Sequence, residues 1–388
     1  MLRFLTAGES HGPLLTAVIE GLPAGLPVSE EAIAAELARR QKSAGSGGRM
    51  RIERDRARIT GGVVAGRTTG APLALQIENL DWENWRDRDI APMTIPRPGH
   101  ADLTAAVKYG YRDLRLALER ASARETAARV AVGALCRLLL AQVGVVVGSY
   151  VVQIGPVQAD LPEEMAYEQR FVQAEENDVR CPDPQGAQAM VACIDDARTR
   201  RDTLGGQFEV VALGCPPGLG SHVHWDRRLD ALLMMAVGSI QAVKGVEIGP
   251  AFANAAKPGT QVHDEIQLDG ERIHRPTNRA GGLEGGITTG QPIVVRAAMK
   301  PIATTLTPLA SVDLATGQPA VTRYERSDIC AVPRAAVVGE AMVAIALADA
   351  LLAKVGGDSL AEIQPRVSSL RQATLTDLEM DHVPWRWS

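Results

Sequence analysis

The sequence predicts an α+β chain of two related halves packed into one body, and three observations carry the prediction. Ala- and Leu-rich runs of helical composition follow Asp113 and Pro333. Short β-branched or alternating segments bounded by glycine, such as 58–77 and 145–155, read as strands. A strand, a Gly-x-Pro-x-Gly-Leu turn and a helix occur in that order twice, from Ala17 to Arg40 and from Val211 to Ala236. The helix after His100 is likewise echoed by Pro333 to Val355. The expected organisation is a single body over 1–362 and a peripheral tail over 363–388, polar and ending in Pro-Trp-Arg-Trp-Ser.

With 388 residues, 46% of them apolar, the chain can bury a substantial core. Only 4% are aromatic and the net charge is -5 with both signs interspersed, which weighs against nucleic acid and against a membrane surface as partner. The five cysteines, Cys136, Cys181, Cys193, Cys215 and Cys330, are odd in number and form no CxxC, so they read as free thiols in a reducing compartment. The N-terminal MLRFLTAGESHG lacks the apolar core of a signal peptide. No apolar run reads as membrane-spanning, Val143–Val152 being broken by Gly144, Gly148 and Ser149, and the expected location is the cytoplasm.

Taken in order, 3–20 holds a sharp turn, GESHGP (Gly8 to Pro13), that presents His11 at a strand end. Ser29 to Gln41 reads as a helix with a serine cap, Glu30 and Glu31 in its first turn and Arg39, Arg40 and Lys42 at its end. Gly45, Ser46, Gly47 and Gly48 beside Arg49 and Arg51 form a loop suited to closing on an anionic substrate, though the order is not that of a P-loop. Residues 58–77 read as two strands around Gly61, Gly62, Gly66 and Gly70, and Trp82 and Trp85 mark a surface loop or an interface. Pro96, Pro98 and Gly99 hold Arg97 and His100 in a rigid turn.

From about Asp113 a long helix is expected. On it Arg120 and Arg124, four apart, would share a face across the small residues Ala121, Ser122 and Ala123. Two readings stay open: an anionic ligand lying flat on this bare patch, or a solvated helix whose arginines are neutralised by Glu119 and Glu125. Residues 156–200 read as a peripheral helix–loop–helix. His222, His224 and Asp226 alternate as metal ligands on a strand would. No further His or Cys has matching spacing, so solvated polar side chains are the better reading and no metal is expected.

The stretch 238–249 carries Gln241 and Lys244. In Thr277–Gly290, Gly281, Gly282, Gly285 and Gly286 would let backbone amides approach a flat or anionic ligand, outside any Rossmann pattern. A strand over Ile293–Ala298 leads to KPIATT with Lys300, and RSDICAVPRAA joins Arg326 and Asp328 to the Pro333 helix.

In this order, GESHGP, RPGHAD, RASARETAARVA, SIQAVKGVEIG, TNRAGGLEGGITTGQPI, AAMKPIAT and RSDICAVP resemble the chorismate synthase family, and the likeness runs from Arg3 to about Glu362. The resemblance implies a β-α-β sandwich, with helices between two antiparallel sheets, and a homotetramer. It implies anti-1,4-elimination of phosphate from 5-enolpyruvylshikimate 3-phosphate to give chorismate, with reduced FMN and no net redox change. By motif position Arg40, Arg49, Arg97 and Arg124 are the implied grip on a substrate with two carboxylates and a phosphate. His11 matches the histidine that protonates the departing phosphate, and His100 the histidine at the flavin. Asp328 matches the carboxylate that helps flavin N5 accept the C6 proton. The implied FMN contacts are Arg120, Ala121, Ser122, Gln241, Ala242, Gly285, Lys300, Pro301, Ile302, Ala303, Thr304 and Arg326. One arginine of the Arg120/Arg124 pair would thus serve the cofactor and the other the substrate.

One position departs from the family. Arginine is common there at the place of Ser46, which cannot supply its charge, so either Lys42 or Arg51 substitutes or substrate binding is weaker. An FMN-dependent NAD(P)H reductase is the rival reading, and it would not need His11, His100 and Asp328 together. A nucleic-acid binder is disfavoured by charge and aromatic content. With no separate nucleotide fingerprint, NADPH is expected at most as an outside reductant.

Overall fold

Two antiparallel sheets enclose a layer of helices in the computed structural model, which describes residues 1–46, 54–325 and 327–387. The first sheet runs, in spatial order, β1 (Arg3–Ala7), β2 (Leu14–Glu20), β6 (Leu73–Glu78) and β3 (Ala57–Gly61). The second runs β8 (Val157–Gln158), β7 (Val146–Ile154), β9 (Gly206–Leu213), β15 (Ile293–Met299) and β10 (Val243–Ile248). Between them lie α1 (Glu30–Gln41), α4 (Thr126–Ala141), α7 (Leu229–Gly238) and α9 (Val332–Val355). Short hairpins decorate this frame: β4 (Val63–Val64) with β5 (Arg67–Thr68), β11 (Gln267–Asp269) with β12 (Arg272–His274), β13 (Leu283–Glu284) with β14 (Ile287–Thr288), and β16 (Ala310–Asp313) with β17 (Gln318–Val321). The peripheral helices are α2 (Asp102–Tyr109), α3 (Arg115–Ala121), α5 (Tyr167–Glu175), α6 (Pro184–Thr199), α8 (Ala251–Ala255) and α10 (Leu360–Ser368).

The sequence patterning explains the layers. β2 and β6 alternate because one face meets α4 and the other faces outward, leaving Val18 of β2 exposed. β7 and β9 are buried over most of their length because both faces are covered: α9 lies on the inner side, while Tyr167 and Phe171 of α5 pack with Tyr150, Val211 and Val294. Contrary to the sequence expectation, one apolar run is long enough to cross a membrane. That run is α9, with 83% of its apolar window buried inside the fold. A helix wrapped by a sheet and by other helices is apolar all round for the same reason a membrane span is. It crosses α4 where a Cβ on Gly133 would lie 2.3 Å from Ala341 Cβ, so backbones meet at that point.

The strand orders β1-β2-β6-β3 and β7-β9-β15-β10 follow the same path through the chain. Each half has a small hairpin before its third spatial strand, in GGVVAGRTTGAP (61–72) and GGLEGGITTGQP (281–292). The two hairpins are bonded alike. Thr68 Oγ1 accepts from Leu26 N at 2.9 Å and donates to Pro23 O at 2.5 Å, while Thr288 Oγ1 accepts from Leu219 N at 2.9 Å and donates to Pro216 O at 2.7 Å. The glycines at 281–286 therefore have a structural role that sequence reasoning missed. Gly282 turns with φ 82 where Gly62 turns with φ 86, and a side chain on either would strike backbone.

Three further expectations change. The helix expected from Asp113 is broken, because Ser122 is extended (φ -64, ψ 141) and caps a short 3-10 turn over Ala123–Glu125 by accepting from Arg124 N. Arg120 and Arg124 consequently do not share a face. His222 to Asp226 lies in a loop and short turn, not on a strand, with exposed His224 bonded to Asp226 at 2.6 Å. Among the described residues no group of His, Cys, Asp or Glu is placed to hold a metal. Finally, α10 crosses the expected boundary at 362 with Ile363 buried, and the chain beyond it is tied to β12 through Ile273 N and Ala373 O at 2.8 Å.

Candidate active site

Burial of charge marks the region. The GESHGP turn folds back because Gly8 adopts φ 111, where a Cβ would sit 2.5 Å from Leu14 O. His11 is then held by Glu119 of α3 at two points: its backbone N donates to Oε2 at 2.7 Å, and Nδ1 lies 2.8 Å from Oε1. Trp85 covers the imidazole with ring centroids 4.1 Å apart, so the tryptophan expected in a surface loop or an interface is a wall of this site. Burial disfavours the Glu119 anion, but the bond and charge of His11 outweigh it and keep the carboxyl below its ordinary range. Asn79 links this turn to the arginines: Nδ2 donates to Gly12 O at 2.7 Å and Oδ1 accepts from Arg124 Nε at 2.7 Å.

Arg40 and Arg124 converge on Asp55, all three buried. Arg124 Nη1 reaches Asp55 Oδ1 at 2.5 Å, and Arg40 Nη1 lies 3.5 Å from Oδ2. Arg40 also donates to Thr126 Oγ1 and to Ala123 O, each at 2.9 Å, which fixes the end of α1 against the start of α4. Burial lowers the Arg40 guanidinium to about 10, with Arg124 and Arg334 adding to the effect against the pull of Asp55. It stays charged at neutral pH, in a crowd of cations.

A second buried cluster forms at RPGHAD. Arg97 grips Asp102 through Nε at 2.8 Å and Nη2 at 3.0 Å, and its own backbone N donates to the same carboxylate at 3.0 Å. His100 Nδ1 lies 2.5 Å from Asp102 Oδ1, so Nδ1 is the donor there. The 3.0 Å approach of Arg97 Nη2 to the same nitrogen is then a crowding of two donors and not a hydrogen bond. Burial works against the Asp102 charge, yet His100 and Arg97 hold it well below the usual carboxylate range. Arg97 Nη1 donates to Thr304 Oγ1 at 3.1 Å, and Ser327 Oγ donates to Thr304 O at 3.0 Å. Thr304 thus ties the His100 turn to the segment carrying Asp328, which accepts from Arg334 at 2.6 Å.

Of the residues expected at a flavin, most lie on one connected surface. Arg120 donates to Thr6 O and Oγ1, Thr6 Oγ1 donates to Glu125, and Gln241 Nε2 donates to the same Glu125. Ala242, in the left-handed region at φ 66, accepts from Lys300 N at 2.9 Å, and Lys300 Nζ lies beside Gly99. Burial lowers the Lys300 ammonium, with Lys244 adding to it. Buried Gln241 Oε1 meets no donor among the described residues. An unmet acceptor, two neighbouring lysines and exposed Arg120 fit a flat ring with N–H donors and an anionic tail. Gly285 does not join them. It sits in the β13–β14 turn at the Ile293 end of β15, while Lys300 follows the other end, roughly 20 Å away at strand rise. Arg49, Arg51 and Arg326 lie outside the described residues.

Sequence reasoning did not single out Asp55, Asn79, Asp102 or Arg334. It read Trp85 as part of a surface loop or an interface and took Glu119 only as a helix counter-charge. Asp102 alone left a signal, two residues after His100 in RPGHAD. Asp55 stands in the charge run ERDRARI, where nothing distinguishes a buried carboxylate from a solvated one.

The chain is similar to known proteins along nearly its whole length. A family model described as chorismate synthase matches residues 2–352. The chorismate synthase of Chlorobaculum tepidum is 53% identical over 96% of this chain and 98% of its own length. That of Trichlorobacter lovleyi is 55% identical over 94% and 97%. A solved structure titled as the crystal structure of chorismate synthase superposes with a TM-score of 0.78 at 47% identity, covering 95% of this chain and 96% of that one.

Proposed function

The chain belongs to the chorismate synthase family of carbon–oxygen lyases, and from this premise we propose that it eliminates phosphate from 5-enolpyruvylshikimate 3-phosphate to give chorismate, using reduced FMN. The carrying observation is the joining, through Asn79, of the Glu119-held His11 to the buried arginines Arg40 and Arg124. A proton carrier beside converging guanidiniums suits a leaving phosphate on a substrate with two carboxylates.

Arg40, Arg97 and Arg124 bind and orient the anionic groups. Arg49 is assigned with them by motif position. His11, with Nδ1 donating to Glu119, in its imidazolium form turns Nε2–H to the departing phosphate, gives it that proton and is left as the neutral Nδ1–H imidazole. Reduced FMN, when bound, supplies electron density to the substrate as the phosphate leaves. Arg120, Gln241, Ala242 and Lys300 to Thr304 would hold it, and His100, with Nδ1 committed to Asp102, would present Nε2 to it. Asp328 handles the proton lost from C6. Gly285, set apart within one chain, would reach a flavin only from a neighbouring copy, in line with the homotetramer that the family suggests. We read 1–362 together with the rest of α10 as one catalytic domain of two related halves, working in the cytoplasm.

The test is an anaerobic assay with chemically reduced FMN and the enolpyruvyl phosphate ester, following phosphate release with and without NADPH. Phosphate release without NADPH supports the elimination. NADPH oxidation with no phosphate released would replace it with a flavin reductase.

A further inference from the structure

Arg334 carries none of the roles above. It stands in the first turn of α9, only 9% exposed. Its Nη1 donates to Asp328 Oδ2 at 2.6 Å, and its Nη2 donates to Ser46 Oγ. Ser46 Oγ itself donates to Ser43 O at 2.6 Å, so its lone pairs face the guanidinium and the polarity of the chain is consistent. Arg334 Nε meets no acceptor among the described residues, so the two terminal nitrogens alone fix the plane of the group.

The backbone holds both ends of this relay together. Ile329 N donates to Gly45 O at 2.9 Å, and a Cβ on Gly45 would fall 2.4 Å from Cys330 O. The loop bearing Ser46 and the loop bearing Asp328 are therefore in direct backbone contact, where only glycine fits. A planar guanidinium anchored on its far side narrows the orientations open to the Asp328 carboxylate.

We propose that Arg334 is a positioning residue that, anchored by Ser46, fixes the Asp328 carboxylate for handling the C6 proton. This rests on the proposed elimination. It also accounts for Ser46, which serves as an acceptor for a cation already present. A cation in place of the serine would face Arg334 and repel it. Lys42, the other cation at this end of α1, instead donates its Nζ to Glu175 O at 2.9 Å.

Arg334→Met, Arg334→Lys and Ser46→Ala in the full chain test this. Arg334→Met should lower kcat about 100-fold, as misplacing one reacting group does. KM should stay within about threefold and the Kd for reduced FMN should be unchanged. Substrate deuterated at C6 should show a larger isotope effect on kcat in this variant. Arg334→Lys should recover part of the rate, and Ser46→Ala should fall between. A crystal structure of Arg334→Met should show the Asp328 carboxylate turned away. A rise in KM alone, a lower Tm with unchanged kcat, or Asp328 unmoved in the crystal overturns the proposal. If Arg334→Met does not fold, the isotope effect and crystal structure of Ser46→Ala decide it. If the wild-type chain releases no phosphate, the elimination fails, while the orientation of Asp328 still judges the positioning role.

Discussion

Glu119 holds His11 with both carboxylate oxygens, one on the backbone N and one on Nδ1. That double contact sets the tautomer, because a carboxylate can only accept. Glu119→Gln changes the logic without changing shape. The backbone N–H of His11 still needs an acceptor, so the amide oxygen turns to it. The amide NH2 then faces Nδ1, which must accept, and the imidazole proton moves to Nε2. Nitrogen NMR of the labelled variant should show the Nε2–H tautomer. Neutral imidazole is a far weaker acid than the imidazolium that the Glu119 carboxylate supports, so the rate should fall by about 100-fold or more, as for loss of a general acid, with KM little changed. An unaltered kcat would remove His11 from the proton path.

The break at Ser122 sends Arg120 outward and Arg124 inward, which separates their expected effects. Arg120→Ala should weaken FMN binding with little loss of stability, since its bonds to Thr6 are made at an exposed site. Arg124→Ala should raise the substrate KM far more than the FMN Kd. It should also destabilise the fold by about 3 kcal/mol, because it strips Asp55 of its nearer partner. Equal losses of substrate and flavin affinity in both variants would refute the division.

The frame of this molecule was legible where a residue acts locally. Ser29 caps α1 by accepting from Ala32 N, and the repeated Gly-x-Pro-x-Gly-Leu turn locates both halves. The site was legible only through ordered motifs. His11 and Arg97 stand in turns that punctuation residues announce, but Glu119, the counter-ion of His11, looks like an ordinary helix acid, and Asp102 is marked only by its place after His100. Arg120 and Arg124 show why spacing alone falls short. Helical spacing placed them on one face, and a serine whose cap bond competes with the helix put them on opposite sides.

Gly133 and Ala341 bring the two central helices together, and that contact carries a stability prediction. Gly133→Ala would gain up to about 1 kcal/mol of helix propensity if nothing opposed it. The new Cβ, however, would lie 2.3 Å from Ala341 Cβ and 2.5 Å from its Cα, so α4 and α9 must separate. Overpacking should win, with a net loss of about 1–3 kcal/mol in denaturant melts. Adding Ala341→Gly removes the first clash but not the second, so the double variant should recover only part. A Gly133→Ala chain as stable as wild type would mean that the helices do not meet there.

Glu340, fully buried in the middle of α9, is the acid-sensitive point of the core. Arg39 reaches it from α1, Arg137 from α4 and Arg180 from the segment after α5, and Ser149 Oγ donates to it at 2.5 Å. Burial opposes its charge, but the three guanidiniums outweigh this and lower its pKa from 4.5 to about 2. A folded-state pKa below the unfolded one gives stability that is whole above about pH 4.5 and is lost as pH falls toward 2. The size is on the order of 3 kcal/mol from this group. Glu340→Gln should therefore be less stable at pH 7 by about 3 kcal/mol, since it leaves buried Arg180 and partly buried Arg39 and Arg137 short of an anion. Between about pH 5 and 3, a range set by the same linkage, the variant should lose less stability than wild type. Urea midpoints across that range check both signs. An acid slope in the variant as steep as in wild type would move the sensitivity elsewhere, to Asp102 or Glu119, whose carboxyls are also held low.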